Sequence, residues 1–123
     1  MLFRSGNPIE AIENPDETIS IPLSLVRSPK NLFALRIQGD SMIEKGINND
    51  DIVICRQQSQ VENGEIAVCL IDGEATVKTF FHFRDKIELH PANSRLKTMI
   101  FEEQEALRVT VSGKVVALYR QYE

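Results

Sequence analysis

EIAVCLI (residues 65–71) runs through Asp72-Gly73 into EATVKTFFHF (residues 74–83). An Asp-Gly pair between two β-prone runs is a strong short-range hairpin signal, because both central positions of a type I′ turn need positive φ. The first run is apolar almost without interruption, the pattern of a strand buried on both faces. On the returning run, alternation puts Thr76, Lys78 and Phe80 on one face and Val77, Thr79 and Phe81 on the other. A hairpin of this length predicts a protein built on a sheet.

The segments on either side read the same way. Upstream, LFALRIQG (32–39) places Phe33, Leu35 and Ile37 on one side of a half-buried strand that stops at Gly39. DIVICR (51–56) is the next strand. Between them DSMIEKGINNDD has room for a single helical turn at 41–44, with Asp40 or Ser41 as its cap. Downstream, Arg84-Asp85 turns the chain into KIELHP, PANSRLKTMIF holds a loop and a short strand, and ALRVTVSGKVVALYR gives one long curved strand or a pair interrupted at Gly113. Toward the N-terminus the pattern weakens. Residues 1–16 carry Asn7-Pro8 and Asn14-Pro15, residues 9–12 suit a short strand or turn, 18–21 are β-prone, and 23–26 suit a brief helical turn. No helix of ordinary length shows a 3.6-residue apolar period, so the fold class is mostly β and no helix-turn-helix is encoded. The expected division is an N-terminal arm over 1–16 and one domain over 17–123.

The 123 residues suffice for one hydrophobic core, and 42% hydrophobic with 26% charged is an ordinary balance for a folded domain. A net charge of −4, from 14 basic and 18 acidic side chains, gives no general drive toward phosphate. No apolar run approaches the roughly 20 residues of a membrane span, and the start, MLFRSGNPIE, lacks the apolar stretch of a signal peptide. Cys55 and Cys69 sit in apolar runs and read as buried free thiols. A disulfide between them, or a zinc site joining them to His82 and His90, is a weaker reading, and no CxxC spacing exists. The sequence calls for no cofactor and no metal.

Two residues suggest chemistry. Ser41 follows Gly39 at a strand end, where backbone N–H groups are free to bind a developing oxyanion. On the residues alone it is equally a helix cap. Lys78 lies among β-branched and aromatic neighbours, where burial lowers a lysine pKa and yields a neutral amine able to take a serine proton. It is equally a lysine whose stem covers apolar surface. Lys45, Lys86, Lys97 and Lys114 fall in polar loops, after turns or in the last hairpin. A Ser-His-Asp triad would need His82 or His90 near Ser41, with Asp40, Asp50, Asp51 or Asp72 as the orienting acid. A nucleic-acid surface would have to use Phe80, Phe81 and Phe83 with Lys78 and Arg84, and core aromatics account for these better.

FALRIQGDSMIEKGINNDDIVI (33–54) and NGEIAVCLIDGEATVK (63–78), followed by HPANS (90–94) and VSGKVVALYR (111–120), resemble the C-terminal self-cleaving peptidase S24 domain of the LexA repressor family. UmuD and cleavable phage repressors share the pattern, which covers residues 6–120. The resemblance implies a strongly bent, β-clip-like architecture and intramolecular peptide hydrolysis by a dyad of Ser41 and Lys78, with the backbone N–H groups of Ser41 and Met42 as candidate oxyanion donors. It implies a scissile bond at Ser5-Gly6, where serine departs from the family's usual alanine or cysteine. It further implies a cytoplasmic homodimer formed through part of 107–120, a RecA filament as inducer of cleavage, DNA contact only through an N-terminal domain outside this sequence, and no membrane partner. A repressor of the SOS response is the favoured reading. The alternatives are an UmuD-like accessory of a translesion polymerase and a dimerisation module that does not cleave.

Overall fold

The computed structural model describes residues 30–122. The Ser5-Gly6 bond, the arm over 1–16 and the elements expected over 18–26 lie outside the described residues. Seven strands form one antiparallel sheet: β1 (Leu32–Arg36), β2 (Ile52–Gln57), β3 (Ile66–Ile71), β4 (Glu74–His82), β5 (Lys86–His90), β6 (Met99–Glu102) and β7 (Val109–Tyr119). Their order is β1-β2-β7-β3-β4-β5-β6. The expected mostly β, bent architecture is the observed one. Among the described residues no helix is long and apolar enough to cross a membrane.

The β3–β4 hairpin forms as its sequence dictates. Asp72 (φ 51°) and Gly73 (φ 88°) both take positive φ, as a type I′ turn requires. The register then opposes Ala67 to Lys78, Val68 to Val77 and Cys69 to Thr76. Side chains on β3 alternate between two cores. Val68 joins Leu35, Ile37, Met42, Ile47, Val53, Cys55 and Val77. Ala67 and Cys69 join Phe80, Ile87, Leu89 and Phe101 on the other face.

β7 ties the sheet together. Its first half pairs with β3 and its second half with β2. One extra residue is inserted at each junction: Ser112 opposite Val68/Cys69 and Val116 opposite Ile54/Cys55. Such bulges bend and twist a strand locally, which lets eleven residues serve two partners. The strand passes through Gly113 without a break. A Cβ there would lie 2.7 Å from the Arg56 carbonyl oxygen and 2.8 Å from ring carbons of Phe33. Gly113 therefore lets the Phe33 ring approach the backbone and does not terminate a strand.

Two 3-10 helices complete the described chain, at Ile43–Lys45 and Glu103–Arg108. The first is the single turn expected over 41–44, beginning two residues later. The second takes in residues 106–108, expected as the start of the last strand, and residues 103–105, for which no element was expected.

Candidate active site

Ser41 sits between β1 and the first 3-10 helix. Gly39, at φ 94°, reverses the chain just before it, and its N–H donates to Asn49 Oδ1 at 2.7 Å. Met42, 2% exposed, anchors the turn in the first core. The helix starts without a side-chain cap, so the reading of Ser41 as a cap falls away. Among the described residues, Ser41 Oγ makes no hydrogen bond, and the N–H groups of Ser41 and Met42 find no acceptor.

Ser41 and Lys78 line one cleft of about 210 Å³ together with Leu35, Ile37, Met42, Thr76 and Val77. The cleft lies where the two cores meet: Met42 and Val77 belong to the first, while alternation puts Thr76 and Lys78 on the face of the second. Lys78 is 9% exposed. Its Nζ donates to Thr76 Oγ1 at 2.5 Å and not to Ser41. Burial lowers its pKa from the ordinary 10.5, with a smaller opposing effect from the Cys69 thiol. Among the described residues no carboxylate is bonded to its amine.

The other lysines differ in kind. Lys86 pairs with Glu88 at 2.9 Å and Lys114 with Glu65 at 2.6 Å. Lys45 and Lys97 are exposed. Neither histidine lines the cleft: His82 lies exposed, with its backbone held by Asn63, and His90 pairs with Glu88 and lies against the Phe81 ring at 4.5 Å. Of the aromatics weighed for nucleic acid, Phe80 is core and Lys86 stands over the Phe83 ring at 5.4 Å. Both cysteines are free and buried, and burial raises both thiol pKa values, that of Cys69 to about 12.

Three sets of contacts were not legible beforehand. The 90–94 segment packs on the Ser41 turn: Ala92 N–H donates to the Ser41 carbonyl at 2.8 Å, Glu44 N–H to the Ala92 carbonyl at 2.7 Å, and Asn93 Nδ2 to the Asp40 carbonyl at 3.0 Å. Arg120, beyond β7, grips buried Asp51 with two bonds of 2.7 and 2.6 Å and also reaches the Gly46 carbonyl. Thr76 holds the Lys78 amine. The available signals were the HPANS block of the family resemblance and the polarity of Thr76 inside a patterned strand.

The chain matches the family model described as Peptidase S24-like over residues 2–116. It is 44% identical over 118 residues to a LexA repressor of Clostridium tetani, covering 96% of this chain and 56% of that protein. It is 48% identical over 118 residues to a LexA repressor of Syntrophobacter fumaroxidans (96% and 55%), and 45% over 118 residues to one of Moorella thermoacetica (96% and 55%). The chain thus spans little more than half the length of the curated relatives it matches. A sheet bent by two bulges, a serine that shares a cleft with a buried lysine, and a family match across nearly the whole sequence agree: the chain belongs to the Peptidase S24-like family.

Proposed function

We propose that this chain is the C-terminal self-cleaving and dimerisation part of a LexA-like SOS repressor, with residues 1–16 as the cleavage-site arm and 17–123 as the peptidase domain. The observation that carries the reading is that Ser41, whose hydroxyl has no partner among the described residues, shares a cleft with the buried amine of Lys78, which none of the described carboxylates binds. The relatives' name, LexA repressor, supports the repressor branch. Homodimerisation and induction by a RecA filament are part of the same proposal.

The reaction starts when neutral Lys78 Nζ turns from Thr76 and takes the Ser41 proton. Ser41 Oγ attacks the Ser5 carbonyl carbon, and the new oxyanion receives the N–H groups of Ser41 and Met42. The C–N bond breaks as Lys78 returns the proton to the Gly6 amine. A water molecule, deprotonated by Lys78, then attacks the Ser41 ester, and as the acyl–oxygen bond breaks Lys78 returns that proton to Ser41 Oγ.

Mass spectrometry of the intact chain incubated from pH 6 to 10 tests this. The expected product has lost residues 1–5, and its rate of formation rises with pH to a midpoint below 10.5. Ser41→Ala and Lys78→Ala should each slow it by about 1,000-fold or more. Cleavage persisting in both variants, or a chemical step flat across that pH range, would overturn the dyad.

A further inference from the structure

We infer that Asn93 is a positioning residue for the oxyanion site: it and the backbone of Ala92 fix the two peptide planes whose N–H groups face the reacting carbonyl. The inference rests on the Ser41–Lys78 reading above. A peptide group is planar and trans, so its C=O and N–H point in opposite directions. Anchoring the carbonyl on one side therefore aims the N–H to the other.

Both planes flanking Ser41 Cα are anchored in this way from one segment. The Asp40 carbonyl receives Asn93 Nδ2 at 3.0 Å, in addition to the Ile43 N–H at 3.2 Å. The Ser41 carbonyl receives the Ala92 N–H at 2.8 Å. The N–H groups on the opposite ends of these planes belong to Ser41 and Met42, the two that find no acceptor among the described residues.

Asn93 suits the task. It is 5% exposed, and its Oδ1 accepts from the Arg95 N–H at 3.0 Å. A carbonyl faces one end of its carboxamide and an N–H the other, which fixes the amide orientation. An isosteric carboxylate would keep the Arg95 contact but set an oxygen against the Asp40 carbonyl. Around this contact lie peripheral tethers, from Ser94 N–H to Glu44 Oε2 at 2.7 Å and from Arg95 Nη2 to Asp40 Oδ2 at 3.3 Å. Both are exposed, so the buried carboxamide is the element that orients the turn.

The test compares Asn93→Asp, Asn93→Ser and Arg95→Ala with the parent in the intact-chain cleavage assay, with circular dichroism to verify folding. Removing a backbone oxyanion donor costs about 100-fold or more, and misaiming one, the Ser41 N–H whose plane Asn93 anchors, should cost about 30-fold. The two Asn93 variants should therefore reach a plateau rate about 30-fold lower while the midpoint of the pH profile, set by Lys78, stays in place. Arg95→Ala should cleave at the parental rate. Parental rates in a folded Asn93 variant overturn the inference. So does a displaced midpoint, which would mean that Asn93 acts through the lysine's surroundings. Unfolding of both Asn93 variants also overturns it, since the contact would then serve stability alone. If Ser41→Ala cleaves like the parent, the dyad fails. If Ser41→Ala is inactive while the Asn93 variants cleave normally, only the positioning role fails.

Discussion

Around Ser41 the chain is polar, nearly devoid of regular structure, and held by bonds arriving from distant segments: Asn49, Ala92, Asn93 and, through Asp51, Arg120. Around Lys78 it is a regular hairpin, held by register and apolar burial between β3 and β5. On the proposed mechanism, the contrast follows from what each group has to do. A serine needs a direction, and hydrogen bonds supply direction. A lysine base needs a lowered proton affinity, and burial supplies that without fine geometry. One half of the site is built by orientation and the other by desolvation.

Three substitutions put pressure on this contrast. Asp51→Asn should have the largest effect on stability. It weakens a buried carboxylate that binds Arg120 twice and accepts the Asn48 N–H at 2.6 Å. A loss of about 2 kcal/mol in urea unfolding is expected. The pH dependence has a definite sign. The Arg120 bonds lower the Asp51 pKa below the ordinary 3.8, so its contribution is complete above pH 4 and fades as pH falls through the folded value. The parent should lose stability across that acid window, and the variant should lose less. If the turn is unaffected, its polar bonds are incidental and the contrast breaks.

Lys78→Met should act in the opposite direction, raising stability at pH 7 by about 1 kcal/mol while abolishing cleavage, because an apolar chain replaces a buried amine. The linkage again fixes the sign. With a folded pKa below 10.5, the unfolded chain binds the proton more tightly. Parental stability should therefore rise with pH between the folded value and 10.5, with the full penalty present below that window. Lys78→Met should remove this rise. A destabilised variant would mean that the lysine is held by favourable contacts, as the serine turn is. The smallest effect belongs to Arg95→Ala, whose exposed pair with Asp40 should change stability by less than about 0.5 kcal/mol.

The hairpin half was legible in the sequence because its determinants are local. The Asp72-Gly73 turn, the alternation through Lys78 and the two-sided burial of β3 need only neighbouring residues to be read. The strand through Phe33 and Leu35 and the turn after Gly39 were legible for the same reason. The polar half was not. Asn93 lies 53 residues from Asp40 and Arg120 lies 69 from Asp51, and neither distance leaves a periodic trace. Gly113 left two readings open, a continuous strand or an interrupted pair, and the continuous one holds because the glycine admits the Phe33 ring from another strand. The 3-10 helix at Glu103–Arg108 carries no side-chain cap and no apolar period, and it is tied to the sheet by distant bonds, Glu103 N–H to the Asp85 carbonyl at 2.9 Å and Arg108 to Asp72 at 2.6 Å.

The two buried thiols give the molecule an internal clock. Cys55 and Cys69 are fully shielded, on β2 and β3, with proton affinities raised by burial. A soluble alkylating reagent needs an exposed thiolate, so it reaches them only when the sheet opens. Each labelling event then counts one opening. At saturating reagent the labelling rate equals the opening rate, and at low reagent it reports the fraction of time spent open. One thiol lies in each core, so comparing their labelling by mass spectrometry would tell whether the serine side and the lysine side open together or one before the other.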